Sequence, residues 1–341
     1  MRSPARTLLT LAALALGLPL GGCAGWQSAL DPHGPNAASL ASLFWWFTGI
    51  CGAIWLLVVI AMAIAVVRKL PAAGADPLAL DAAAERRASI VTAVAVAATV
   101  AILTGFVASS YLVARSFADL GGDDALKVKI IGHQWWWEIE YQDAQPSRSF
   151  ITANELHVPV GRPVQARLVG ADVIHSFWVP SLAGKQDLIP GRDNDIVFRA
   201  GNAGTYRGQC AEFCGLQHAH MGMLVIAQPP EEFEAWRNAQ LKSADAPTDA
   251  ERQRGLDVFQ GKTCFACHTV RGAKAAGRTG PDLTHVGSRR SIAADMLPTT
   301  RGSLAAWVAD PQQVKPGAQM PRVDLAPDEL NAVAAYLDGL K

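Results

Sequence analysis

The sequence predicts a two-helix transmembrane hairpin, then an all-β domain, then a small all-α domain. Three observations carry this reading. Two apolar runs, each long enough to cross a bilayer, lie before Phe117. Short strand-like stretches divided by Gly and Pro turns follow, as far as about Trp236. The last segment opens and closes on helical patterns around a middle rich in Gly and Pro.

Half of the 341 residues are hydrophobic, and the excess is concentrated ahead of Phe117. The chain begins with Arg2 and Arg6, an apolar run from Leu8 to Leu20, and Gly21-Gly22-Cys23. That is the pattern of a secretory signal peptide over residues 1–22. Leu20-Gly21-Gly22-Cys23 also resembles a bacterial lipoprotein signal, with Cys23 the lipidated first mature residue; ordinary cleavage nearby is the alternative. The two apolar runs cover about Leu40–Val67 and Ile90–Val113, within an anchor region at 39–115. Arg68, Lys69, Arg86 and Arg87 lie between them, so the positive-inside rule puts that loop in the cytoplasm. Everything after Phe117 then faces outward, which agrees with an export signal. Cys51, inside the first run, reads as a packing residue.

Strand signals follow at Lys127–Ile131, Trp135–Tyr141, Val164–Val169, Ile196–Ala200 and Met223–Ala227. Pro190-Gly191 and Gly201-Asn202 mark turns. This spacing predicts a sandwich or Greek-key barrel over 117–241, with a helix at Glu231–Leu241. A small polar linker at 242–248 precedes the last domain, 249–341. There Thr248-Asp249-Ala250-Glu251 is a capping-box pattern. Pro327-Asp328-Glu329 leads into a stripe of Leu330, Val333, Ala334 and Leu337.

Acidic and basic residues balance at 30 each. The middle domain carries an acidic excess and the last a slight basic one. This suggests that the two dock together or that the middle faces a basic partner; ordinary scatter of surface charge is the alternative. No basic cluster of the kind that binds nucleic acid is present.

The six cysteines fall as two singletons and two tight pairs. The first pair sits in Cys210-Ala211-Glu212-Phe213-Cys214-Gly215-Leu216-Gln217-His218-Ala219-His220-Met221. Thiolate, imidazole and thioether together select copper, and a second thiolate permits two bridged ions. A further imidazole is needed, and His175, at the end of a strand-like run, is the best candidate. An exported Cys210–Cys214 disulfide is the competing reading. The second pair, Cys264-Phe265-Ala266-Cys267-His268, is the C-x-x-C-H signature of covalent c-type haem. A thioredoxin-like pair would need a βαβ context and a zinc ribbon a second cysteine pair beside the first, and neither is present in the last domain. Met320, in Lys315-Pro316-Gly317-Ala318-Gln319-Met320-Pro321, is the favoured sixth ligand, with Met296 its rival. His/Met ligation raises the reduction potential.

The pattern Cys-x-Glu-x-Cys-x-x-x-His-x-x-Met, with the upstream His175, resembles the dinuclear copper A site of the cytochrome c oxidase subunit II family. The resemblance covers the two membrane helices and a cupredoxin-like barrel. It implies that Cys210 and Cys214 bridge two coppers, with His175 and His218 as terminal ligands and Met221 as a weak axial one. It also implies that Glu212 gives its backbone carbonyl to copper and turns its carboxylate to a magnesium site at the subunit I boundary, near Asp187 and Arg192. His220 has no assigned role and reads as structural.

Gly132-His133-Gln134-Trp135-Trp136-Trp137 resembles the family's aromatic patch, which makes Trp135 the electron-entry residue. Trp136 stands where the family commonly has Tyr. Glu85 matches a residue that in many members opens a proton path, although Arg86-Arg87 depart from the usual apolar flank; a plain loop Glu is the alternative. The Met320 loop resembles that of small class I cytochromes c.

Membrane anchor, copper domain and cytochrome in one chain resemble the caa-type branch of haem-copper oxidases. The resemblance implies a subunit II on the outer, periplasmic face of a bacterial inner membrane, in a proton-translocating oxidoreductase. It would partner subunits I and III and membrane lipid, take electrons from a cytochrome c or bc complex, and pass them to haem a and the oxygen-reducing site of subunit I. The competing functions are a copper A subunit of a nitric oxide reductase and a membrane-anchored copper-handling assembly protein.

Overall fold

The computed structural model describes Gly25 and residues 27–67, 82–118, 121–122 and 124–341. The expected signal peptide, Cys23, Arg68 and Lys69 lie outside the described residues. The described chain forms two compact units, Ser39–Asp119 and the remainder.

The first unit is a pair of long helices, α1 (Pro35–Val67) and α2 (Ala82–Ala118). Both are long and apolar enough to cross a membrane. At 1.5 Å per residue each exceeds a hydrocarbon core of about 30 Å. Phe47 and Phe106 stack between them at 4.1 Å. Phe44, Trp45 and Trp46 are exposed, as aromatics at a membrane interface are. Cys51, expected to pack, is instead exposed on α1.

The second unit opens with a strap, running into the first residues of α1, that is sewn onto a β-sandwich. The His33 amide donates to Ser181 O and the Asn36 side chain to Val197 O. Gly34 passes so close that a Cβ there would meet Arg199 O at 2.3 Å. The sandwich contains β1 (Leu126–His133), β2 (Trp136–Tyr141), β3 (Phe150–Ala153), β4 (Glu155–Pro159) and β5 (Val164–Gly170). It continues with β6 (His175–Trp178), β7 (Gln186–Leu188), β8 (Asn194–Phe198), β9 (Gly204–Cys210) and β10 (Gly222–Gln228). One sheet runs β3-β2-β1-β5-β8 and the other β4-β10-β9-β6-β7. Pairs β1–β5 and β4–β10 are parallel. Alternating inward residues fill the space between sheets, with Ile130, Trp137, Ile139, Leu168, Phe177 and Phe198 all sealed from water. Helix α3 (Pro230–Gln240) closes the sandwich near the predicted bounds.

The last domain packs α4 (Ala250–Gly261) against α8 (Pro327–Gly339), with α5 (Cys264–Cys267), α6 (Arg301–Ala309) and α7 (Pro311–Val314) between them in sequence. The first cap differs from expectation. Asp249, not Thr248, is the N-cap and its carboxylate accepts from the Arg252 amide. Asp and Thr compete for adjacent cap positions, and the extended backbone at Asp249 places its side chain over the first turn. The predicted stripe of α8 is buried at Val333, Ala334 and Leu337.

The two domains of this unit touch extensively, and main-chain groups dominate their contact. Glu155 is 3% exposed, and its carboxylate accepts from the amides of Arg290 and Ser291. Arg207 meets Asp295 at 2.8 Å. The cation of that pair is on the acidic domain and the anion on the basic one, the reverse of what net charge suggests.

Helices α4 and α8 meet where a Cβ on Gly255 would stand 2.1 Å from Ala332 O. Gly255→Ala is expected to destabilise this domain by about 1–3 kcal/mol through overpacking, read from denaturant unfolding of the solubilised chain. Burial pushes the Tyr336 phenol up to about 12 from its ordinary 10.0. Below pH 10 the phenol is neutral folded or unfolded. Between pH 10 and 12 only the unfolded chain ionises, so stability falls as pH rises, by about 2–3 kcal/mol in all. Tyr336→Phe is expected to flatten that alkaline limb; superimposable curves for the two proteins would contradict this.

Candidate metal and haem centres

Strands β6 and β9 run antiparallel, with Phe177 opposite Cys210. The start of β6 therefore lies beside the end of β9, bringing His175 to Cys210 across 35 residues of sequence. The chain then loops through 211–217, makes a single turn at His218–His220 and enters β10. That loop returns Cys214, His218 and Met221 to the same corner.

The donor atoms converge. Cys210 Sγ and Cys214 Sγ are 3.7 Å apart and both thiols are free. His175 Nδ1 lies 3.9 Å from Cys210 Sγ, and His218 Nδ1 lies 3.6 Å from Cys214 Sγ. Met221 Sδ is 3.9 Å from Cys214 Sγ, and Glu212 O is 3.1 Å from Cys210 Sγ. The ligand atoms of His175, Cys210 and Cys214 all fall within 4.8 Å of one another. Such spacings suit metal bonds of about 2.0–2.3 Å from each donor. The thiols share one proton: the hydrogen bond from Cys214 draws Cys210 down to about 3, while Cys214, which keeps the proton, is pushed up. A buried cation at this corner would take that proton's place.

His175 is fully buried. Its Nε2 is 2.8 Å from Asp172 Oδ1, which leaves Nδ1 facing the thiols. Burial opposes its charged form, but hydrogen bonds to Cys210 and Asp172 outweigh this and its pKa rises. Asp172 also accepts from the amides of Gln134 and Val173. A carboxylate that orients a ligating imidazole in this way is a common supporting contact. Asp172 was not singled out from sequence, although the Asp-x-x-His spacing could have marked it. The opposite side of His175 rests on Gly132, where a Cβ would stand 2.8 Å from the ring.

The other expected residues lie apart. The Glu212 side chain is exposed, Asp187 is half-buried on β7, and Arg192 is exposed. His220 Nδ1 is 2.8 Å from Gln217 Oε1. Glu85 is exposed in the first turn of α2.

A cavity of about 470 Å³ lies between the sandwich and the helical domain, lined by Cys264, Cys267, His268, Met320, Trp135 and Trp136 among others. Met296 does not line it. The cysteines occupy one turn, α5, and the following residue, His268, leaves the helix in extended conformation. His268 Nδ1 is 2.8 Å from Pro281 O, an acceptor that fixes the proton on Nδ1 and leaves Nε2 free to ligate. Burial lowers the His268 pKa, favouring the neutral, ligating form. Two thiols, a neutral imidazole and a thioether around an apolar cavity fit a covalent haem.

Trp135 joins the two regions. Its indole Nε1–H donates to Cys214 O at 3.0 Å, and the Gln134 amide donates to the same oxygen at 2.7 Å. Trp135 is only 9% exposed, because Gly317 of the helical domain sits on its ring. Lys315 was also missed from sequence. It is 3% exposed and donates to Trp135 O, His220 O and Ala293 O. A lone Lys before Pro-Gly carries no sequence signal of burial.

Gly132→Ala is expected to push the His175 ring aside and lower copper retention and the copper absorption bands, while leaving haem attachment intact. Full copper occupancy in that variant would refute the close-packing account of Gly132.

Residues 126–228 match the family model for the periplasmic domain of cytochrome c oxidase subunit II. Residues 253–341 match that for cytochrome c. Cytochrome c oxidase subunit 2 of Alkalihalophilus pseudofirmus is 37% identical over 221 residues, 64% of this chain and 63% of the relative. That of Bacillus subtilis is 36% identical over 232 residues, again 64% and 63%. The chain thus spans just under two thirds of the length of these relatives. The crystal structure of the periplasmic domain of subunit II of Bradyrhizobium japonicum cytochrome oxidase is 33% identical, covering 35% of this chain and 95% of that one with a TM-score of 0.33. The chain belongs to the cytochrome c oxidase subunit II family, with the family's periplasmic domain at residues 126–228 followed by a cytochrome c domain at residues 253–341.

Proposed function

We propose that this chain is the electron-entry subunit of a respiratory, proton-translocating cytochrome c oxidase. One observation carries the proposal: Trp135 lines the same cavity as Cys264, Cys267 and His268 and also hydrogen-bonds the carbonyl of Cys214. A single side chain thereby touches both candidate centres.

When bound, a covalent haem c and a dinuclear copper A centre supply one-electron donor and acceptor chemistry. Cys264, Cys267, His268 and Met320 would hold the haem, the cysteines through covalent attachment and the other two as iron ligands. Cys210, Cys214, His175, His218, Met221 and the Glu212 carbonyl would hold the copper pair. The donors divide between the thiols, with His175 and Glu212 O nearest Cys210, and His218 and Met221 nearest Cys214. That division supports two ions instead of one. Burial of His175, Cys210, Cys214 and Met221 in the sandwich excludes water and limits reorganisation on redox change. Trp135 supplies a short path, from its ring through its N–H to Cys214 O and on to Cys214 Sγ.

The exposed Glu212 carboxylate is free to reach a magnesium ion at the subunit I boundary. Beyond that boundary, subunit I would hold haem a and the oxygen-reducing site, with subunit III alongside. Glu85 is the proposed entry to a proton path. A cytochrome c or bc complex is the proposed donor. The two apolar helices support a two-pass anchor in a bacterial inner membrane, with both redox domains on the periplasmic side.

The test is metal content and electron paramagnetic resonance of the purified full chain, matured with haem and supplied with copper. The expected result is two coppers and one covalent haem per chain, with one unpaired electron shared over two copper nuclei. A single copper with a mononuclear signal, or a Cys210–Cys214 disulfide with none, would sink the reading.

A further inference from the structure

Lys315 is a charged side chain buried at the contact of two domains, and nothing in the cofactor chemistry calls for it. It follows α7 in the cytochrome domain, and its ammonium is inserted toward the sandwich. Desolvating an ammonium costs several kcal/mol unless its bonds are replaced. Here all three N–H bonds are matched: Trp135 O at 2.7 Å, His220 O at 2.8 Å and Ala293 O at 3.2 Å. Three carbonyl acceptors match the three N–H bonds of the ammonium, while burial pulls its pKa down to about 7, so the side chain carries its charge below that pH. Two of these acceptors belong to the copper domain, one on the entry tryptophan and one in the metal loop. The third belongs to the cytochrome domain itself.

That third acceptor opens a strained run. Ala293, Ala294 and Asp295 have φ of 57°, 60° and 65°, three consecutive non-glycine residues in the left-handed region. Each is strained for a residue with a Cβ and persists only when its surroundings hold it. The surroundings here are the interdomain contacts. Lys315 holds Ala293 O, the Gly222 amide holds Ala294 O at 3.1 Å, and Arg207 holds the Asp295 carboxylate at 2.8 Å. Gly317, two residues beyond Lys315, rests on the Trp135 ring. Lys315 also lines the haem cavity.

We infer that Lys315 is the positioning residue for electron transfer between the two domains: its amine clamps the cytochrome domain onto the carbonyls of Trp135 and His220. The inference rests on the proposed function above. The transfer moves one electron from ferrous haem, which becomes ferric, to the oxidised copper pair, which is reduced by one; no bond changes and no proton moves. The clamp makes the cytochrome domain a docked relay and not a swinging tether. It also covers Trp135, so an external donor meets the haem domain and not the tryptophan.

The test uses the full chain, purified and loaded with copper and haem, as wild type and as Lys315→Met, which keeps length and removes charge and donors. The expected result is a haem-to-copper rate lowered about tenfold or more, since small misplacements are costly to transfer geometry. At pH 6, where Lys315 is charged, midpoint potentials of both centres are expected to be lower in the variant, because a positive charge that stabilised the added electron is gone, and this difference is expected to shrink as pH rises above 7; a merely structural clamp would show no such pH dependence. In the wild type, Lys315 is expected to resist reductive methylation while exposed Lys274 reacts. A wild-type rate in loaded Lys315→Met overturns the inference. So does labelling of Lys315 as fast as Lys274, a measurement that stands if the variant does not fold. Loss of the proposed function shows separately, as a wild-type chain that takes up no copper pair or no haem.

Discussion

The carbonyl oxygen of Cys214 receives the indole N–H of Trp135 and the side-chain amide of Gln134, and the arrangement of both candidate centres depends on that junction. It ties the turn between β1 and β2 to the loop that carries four of the proposed copper donors. The same turn is held from below by Asp172, which bonds the Gln134 amide and the His175 ring. It is held from above by Lys315 and Gly317 of the cytochrome domain. Moving Trp135 would therefore disturb a ligand, a metal loop and a domain contact together.

Burial is the second constraint, and it acts differently on the two centres. Of the proposed copper donors, Cys210, Cys214 and Met221 sit in the sandwich core, where soft ligands of low polarity pack as hydrophobes do. Only the coupled thiols and His175 carry large electrostatic consequences, and a bound cation resolves both. The haem cavity is instead formed between elements: short helices, a turn of cysteines and the face of the sandwich. Its integrity depends on the docking of two domains, and buried polar groups supply that docking. Glu155 satisfied by two amides, Lys315 satisfied by three carbonyls, and the Arg207–Asp295 pair specify one pose where an apolar contact would allow many.

Much of the site was legible in the sequence because ligand chemistry leaves dense local signatures. Cys210 to Met221 and Cys264 to His268 each place several ligand types within one loop or turn, and no packing requirement produces that coincidence. Five strands were legible because their side chains alternate or are β-branched. Strands β3, β4, β6, β7 and β9 were not. β4 carries Glu155 and His157 in a fully buried run, where a polar residue argues against a strand until its partners on another domain are known. β9 contains two glycines, and Gly208 is required there because Met223 and Trp178 O crowd its Cα.

By itself the sequence determined the order of anchor, β domain and cytochrome, the candidate donor residues, and the C-x-x-C-H motif, because helix length, soft-ligand spacing and C-x-x-C-H are local properties of a chain. Only the tertiary structure decided that His175 meets Cys210, that Asp172 and Gly132 aim that imidazole, and that Met320, not Met296, lines the haem cavity. It alone decided that Lys315 is buried against Trp135. Those facts depend on strand pairing and domain docking between residues far apart in the chain, and a sequence pattern has no period or spacing that encodes them.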